Sequence, residues 1–480
     1  MNFAFGYTEV GVLVGICSIY DYGLSTGGPS GLIWGWVAAF LLTMVVSFSL
    51  AEICSAYPTA GSVYHWSGQL VPAKWTPLAS YVCGWTNFLG NAVGDASFAY
   101  AWANFVNASM IASGATESFT TNQLVCMSIF VLFIWSMMNC LRIDQLGWLN
   151  AAAAVIQCVS TLLIMFLILH CSQSLSSEEF VFTAYYNTTG FTSPSYVYAI
   201  SLLSALWSFS GYEASAHMAQ ETNSSRTSAP MGIVWTCFAS GIGGLGIIIS
   251  LLFATDSIEV LLNGRTGNAA IEVFLRTTGP TVGAALAWLI VVNVFFAGLS
   301  SVAITSRITY ALSRDGAFPF SEHLATVHPT LKSPIVAIAF VWFLSSSLQL
   351  LALFSEVAFL SITATSTIGF QVSYAIPITL NLLFDETDFS SIPMTLGLWS
   401  KPFGVISAIW LLGTSTLFLL PNNSVVTLET MNYSGFIVGF FATVGVFHWV
   451  YHARFTFTGP KRSLEHVSNK LKTSSAAMDI

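Results

Sequence analysis

Gly11-Val12-Leu13-Val14-Gly15-Ile16-Cys17-Ser18 and, much later in the chain, Trp207-Ser208-Phe209-Ser210-Gly211-Tyr212-Glu213-Ala214-Ser215 place glycines and small polar residues in the middle of two stretches otherwise apolar enough to cross a membrane. Glycine inside a helix costs about 1 kcal/mol relative to alanine. In hydrocarbon, every N–H and C=O freed by an irregular turn must also find a partner. A break at that depth persists where protein, water or a bound solute supplies one, so the two segments together point to a solute site. The plainer reading is that glycine and serine let neighbouring helices approach closely, and either segment alone fits both.

The rest of the chain sets these segments in lipid. Of 480 residues, 8% are charged and 55% hydrophobic, whereas soluble domains carry about 25% charged residues. A hydrocarbon layer about 30 Å thick takes roughly 20 apolar residues per helical crossing. Twelve such spans can be read: 3–24, 31–57, 77–107, 122–140, 149–171, 195–218, 231–255, 281–312, 334–354, 357–384, 403–420 and 434–453. The expected fold is an all-α polytopic membrane protein. The first stretch has no basic leader and continues into further spans, so it reads as a crossing and not as a signal peptide.

The basic residues orient the bundle. With the N-terminus cytoplasmic, Lys74, Arg142, Arg226, Arg307, Arg314, Lys332, Lys401, Arg454, Lys461, Arg462, Lys470 and Lys472 all fall inside, and of the fourteen Lys and Arg only Arg265 and Arg276 fall outside. Basic loops resist translocation, so both termini are expected in the cytoplasm. The sequons at Asn107, Asn187, Asn422 and Asn432 then lie outside and that at Asn223 inside. Seven of the eight cysteines fall in or against apolar spans without ligand spacing, Cys171 sits near a polar loop without an evident partner, and no metal site, cofactor or structural disulfide is expected. Nothing points to nucleic acid, and no nucleotide loop or nucleophile–base pair points to an enzyme.

The two interrupted spans are the first and the sixth. That offset is what an inverted repeat of five spans would produce, placing both breaks together at the bilayer midplane. The expected organisation is a first repeat over 1–171, a second over 195–384, accessory spans over 403–453 and a cytoplasmic tail over 454–480. Glu9, Asp21, Glu52, Asp95 and Glu213 are carboxylates within spans, costly in lipid and in need of a partner, a proton or water. An interior with acids and no fixed cations suits a solute bearing an amine, or a coupling proton or other cation. Glu213, two residues past Gly211, is the preferred functional carboxylate, with bracing of the break as its alternative. Asp95 reads equally as a cation contact or a polar bridge, Glu52 as a gate or packing residue and Asp21 as an outer-vestibule charge. Trp207 and Phe209 could hold an ammonium group by cation–π attraction of roughly 0.5–2 kcal/mol.

Gly15-Ile16-Cys17-Ser18 with Gly27-Gly28-Pro29, Ala51-Glu52-Ile53-Cys54-Ser55-Ala56-Tyr57-Pro58-Thr59-Ala60-Gly61, Ser210-Gly211-Tyr212-Glu213-Ala214-Ser215-Ala216-His217-Met218, Thr305-Ser306-Arg307 and Ser313-Arg314-Asp315-Gly316-Ala317-Phe318-Pro319 follow one another in an order that resembles the amino acid–polyamine–organocation superfamily. Within it, the chain resembles the eukaryotic GABA, choline and bidirectional amino acid permeases. The resemblance implies a five-plus-five inverted core with two further helices, working by alternating access. It assigns the substrate carboxylate to backbone at Val14, Gly15, Ile16, Cys17 and Ser18. It assigns the amine or the gate to Trp207, Ser208, Phe209, Ser210, Gly211 and Glu213. GABA, other amino acids, choline and polyamines all remain open as solutes, and a substrate-gated channel or nutrient sensor remains open as a function. So does the membrane, with the plasma membrane as default and a vacuolar or other internal membrane as alternative. Some members carry a cationic side chain in the fifth span in place of a sodium ion. Here that place falls at Gln157, which leaves proton coupling, exchange and uniport open. The chain also starts almost within its first span, where relatives have a longer leader, which suggests a shortened start or an altered inner gate.

Overall fold

The computed structural model describes residues 2–141, 143–217, 219, 224–355, 357–384, 389 and 392–460. Arg142, Met218, Asn223, Lys461, Arg462, Lys470, Lys472 and the tail beyond 460 lie outside the described residues. In chain order the helices are α1 Asn2–Val10, α2 Val12–Ser18, α3 Tyr20–Ser25, α4 Gly28–Ala56, α5 Ser62–Gln69, α6 Thr76–Ala112, α7 Thr121–Asn139, α8 Ile143–Cys171, α9 Glu178–Thr183, α10 Pro194–Ser208, α11 Ala214–His217, α12 Ser225–Phe253, α13 Ile258–Leu262, α14 Ala269–Asp315, α15 Ser321–Leu324, α16 Ile335–Gln349, α17 Ala358–Phe384, α18 Ser400–Leu417, α19 Ser434–His448 and α20 Arg454–Thr456. Among the described residues, eight helical stretches are long and apolar enough to cross a membrane by themselves. The other expected crossings coincide with the broken segments Asn2–Ser25 and Pro194–His217, with the more polar α6 and with α18. The protein is a polytopic helical membrane protein.

The core forms around α6, which packs along α14 and α17, while α4 packs along α12. Small residues make the first crossing close, since a Cβ at Gly90 of α6 would come 2.7 Å from the Phe370 amide nitrogen of α17. In lipid, where helix association relies on such contact and not on exclusion of water, close approach of this kind is what holds spans together.

Two sets of loops separate cleanly. Residues Ser25–Thr26, Asn107, Thr188–Thr189, Leu262, Thr266–Asn268, Val357 and Asn422–Asn423, which follow the odd-numbered expected spans, converge on one cavity of about 570 Å³. Connections after even-numbered spans meet elsewhere. Ser55 Oγ donates to the Arg226 carbonyl at 2.8 Å, Ser333 Oγ to the Leu141 carbonyl at 3.1 Å, and Tyr64 OH to Asp315 at 3.0 Å. The Asn432 sequon is buried and its Nδ2 donates to the carbonyls of Phe418 and Leu420, so it braces the loop after α18.

Candidate solute site

The first and sixth spans cross antiparallel. α2 packs against α10 and α1 against α11. As the chain advances from Gly6 to Gly15, its neighbours retreat from Ser215 through Gly211 to Ser208. A Cβ at Gly6 would meet Ser215 Oγ, one at Gly211 would lie 2.9 Å from Glu9 Cγ, and one at Gly15 would meet Ser208 with its Cα at 3.0 Å.

The first break falls at Gly11, the first glycine of the interrupted string. Gly11 adopts φ 51° and ψ 49°, left-handed backbone that glycine tolerates. The chain leaves helical geometry again at Ile19, with φ −128°. Gly15 lies in the helical piece between them, its N–H donating to the Gly11 carbonyl at 2.9 Å. Its missing Cβ is used for contact with Ser208 instead. In the sixth span the helix ends at Ser208, Gly211 takes φ 86°, and helix resumes at Ala214.

Polar groups gather at the crossing. Glu213 is buried and its carboxylate accepts hydrogen bonds from Asn87 Nδ2 of α6 at 3.1 Å and from the Tyr374 hydroxyl of α17. The same Tyr374 oxygen accepts the Gly211 N–H at 3.1 Å, so one phenol holds both the break and the carboxylate beside it. Asp95 accepts from Ser301 Oγ of α14 at 2.5 Å, which makes the polar bridge, while its Oδ2 has no hydrogen-bond partner among the described residues. Neither does Glu9 Oε2, and Glu9 lies within electrostatic reach of both Asp95 and Glu213. At the first break both amide atoms of Gln157 are buried without a partner, and a Cβ at Gly11 would sit 3.3 Å from its Nε2. Buried polar atoms are nearly always satisfied, and these four are among those left without a hydrogen-bond partner among the described residues.

Phe209 packs on Trp36 of α4 with ring centroids 4.8 Å apart, and Trp207 on Phe98 of α6 at 5.4 Å. Among the expected binding residues, Ser18 lines the 570 Å³ cavity, together with Ile19, Asp21 and Tyr22. Val14, Ile16 and Cys17 lie deeper along the same span and are buried. Asp21 thus stands where a vestibule charge was expected, its Oδ1 accepting the Ala269 N–H at 2.7 Å. Glu52 accepts from the Leu396 N–H at 2.7 Å and Ser400 Oγ at 2.6 Å, fastening the start of α18. Replacing Glu52 with alanine should therefore lower thermal stability by about 1–3 kcal/mol through the orphaned donors, with solute KM unchanged. A melting curve and an uptake isotherm on the same preparation check this. Asn87 and Tyr374 carried no local sequence signal, because their roles arise only when α6 and α17 meet the sixth span.

A helical bundle in which two antiparallel spans break beside each other, under a cavity that opens on one face, is the architecture of a solute transporter. The amino acid permease family model matches residues 3–442, and the chain belongs to that family. It is similar to amino-acid permease BAT1 of Arabidopsis thaliana, 35% identical over 96% of this chain and 92% of that protein. The BAT1 homolog of Oryza sativa subsp. japonica is 32% identical over 97% of this chain and 92% of its own length. A putative amino acid/polyamine transporter of Macrophomina phaseolina is 29% identical over 90% and 96% respectively. The protein is an amino acid transporter of the multi-pass membrane class, and not an enzyme.

Proposed function

We propose that the chain is a secondary or facilitative carrier that moves an amino acid or a related amine such as GABA by alternating access. Residues 1–171 and 195–384 act as the inverted repeats, and 403–453 as accessory spans. The observation that carries this reading is the asymmetry of the two faces. The cavity reached by the loops after odd-numbered spans ends at Ser18 and Ile19, where the first span leaves helical geometry for the second time, one short helix beyond Gly11. Beyond the breaks, His217 Nδ1 is hydrogen-bonded with the Ala60 carbonyl at 2.8 Å and the Tyr64 hydroxyl donates to Asp315, two contacts that tie neighbouring elements together on the opposite face. A cavity on one side and these cross-contacts on the other support the reading of a carrier open to one side. With the cytoplasm on the closed side, as the basic residues argue, the cavity faces outward in the plasma membrane. Glu9, Asp95 and Glu213 are the groups that would exchange a coupling proton or other cation, since two of them keep an unpartnered oxygen at the crossing.

The test is uptake into vesicles reconstituted with the purified protein, using a panel of labelled amino acids, GABA, choline and a polyamine, with proton flux recorded in parallel. Saturable uptake of an amino acid, suppressed by excess unlabelled solute, is the expected result. Uptake no greater than in empty vesicles across the panel, or unitary currents in place of saturable flux, sinks the reading.

A further inference from the structure

Arg265 and Arg276, the two basic residues that the charge asymmetry leaves outside, line the same cavity of about 760 Å³. It lies between the end of α6, α13, the loop 263–268 and the first turns of α14, reaching the bend at Gly279 and Pro280, where the Gly279 φ is 81°. Glu259 and Glu272 line it too, so guanidinium and carboxylate groups share one space within the usual size range of small-molecule sites, about 300–1,000 Å³. The charges are unequally engaged. Glu272 Oε1 accepts both the N–H and the hydroxyl of Thr266 at 2.9 Å, and its Oε2 stands 3.9 Å from Arg276 Nε. Arg265 has no ion pair or hydrogen bond among the described residues.

A solvated surface cluster would need no connection to the transport path, and this one has two. Thr266 lines both this cavity and the vestibule, so the two spaces adjoin. The loop that carries Arg265 is also tied to the first span, with Asn268 Nδ2 donating to the Cys17 carbonyl at 3.0 Å and the Ala269 N–H to Asp21. We propose that this cavity is an outer recognition site for a zwitterionic solute, with Arg265 and Arg276 taking its carboxylate and Glu259 its ammonium group before it passes Thr266 into the vestibule. Guanidinium groups suit this task, because their planar donors match a carboxylate.

The inference rests on the carrier reading, and the experiment separates the two. Vesicles with the vestibule outward are loaded with R265Q or R265Q/R276Q protein and assayed with the panel amino acid that the unaltered protein takes up fastest. Influx KM should rise about fivefold for the double variant, the scale of an exposed charge pair, with Vmax and the KM for efflux unchanged. R265K/R276K should keep influx KM near that of the unaltered protein. R265Q alone should melt at the unaltered temperature, having no partner to lose. An influx KM that does not move, or one that rises equally on both faces, overturns the outer site and leaves the carrier intact. Absence of uptake by the unaltered protein sinks the carrier reading and this one with it.

Discussion

Gly15→Leu is expected to reduce uptake by up to about a hundredfold, while the protein still reaches the membrane. A Cβ at position 15 would lie 2.9 Å from Ser208 Cβ and 3.0 Å from Ser208 Cα. The first of these atoms can be removed by mutation, but the second is backbone and cannot turn aside. A leucine there must push α2 from α10 at the point where the two broken spans meet. Overpacking of this kind costs about 1–3 kcal/mol, and each 1.36 kcal/mol lost from a rate-limiting step is about tenfold in rate. Gly15→Ala should accordingly cost about tenfold. Adding Ser208→Gly should return part of that loss, because it removes the side-chain clash and leaves the backbone one. Surface labelling alongside initial uptake rates decides the matter, and normal kinetics in Gly15→Leu would show that the spans do not close on each other there.

That experiment also separates two uses of glycine that the sequence cannot distinguish. Gly11 and Gly15 stand in one short string, and both signal that the span is interrupted. Only backbone geometry shows that Gly11 supplies the left-handed turn and Gly15 the close contact. The pairing of the first and sixth spans was legible, because small polar residues in mid-span are costly in lipid and recur at a repeat-like offset. Side-chain direction was not. Phe209 neighbours the second break in sequence, and its ring packs on Trp36 of α4, a contact between distant parts of the chain. Glu52 near a span end reads as a gate or a packing residue, and the partners that make it a brace lie in 395–400, far along the chain. Long-range partners of this kind leave no periodic trace in the residues themselves.

Glu213→Gln is expected to lower Vmax about 10- to 100-fold while affinity measured from the vestibule side changes little, because Glu213 is not among the residues lining that cavity. The carboxylate accepts from Asn87 and Tyr374 at once, with both donors on spans other than its own. An amide offers one oxygen and one NH2. If its oxygen serves Asn87, its NH2 is turned to a phenol oxygen that already accepts the Gly211 N–H, and the phenol proton loses its acceptor. An orphaned buried donor costs about 1–3 kcal/mol, so the variant should also melt earlier. Asn87→Asp combined with Glu213→Gln exchanges amide and carboxylate across the same contact and should restore the melting temperature. Uptake should nonetheless stay low, since the acid now sits on α6 and no longer travels with the broken span whose rearrangement opens the opposite face. Full recovery of uptake in the double variant would reduce Glu213 to a brace, and unaltered uptake in Glu213→Gln alone would remove it from the mechanism.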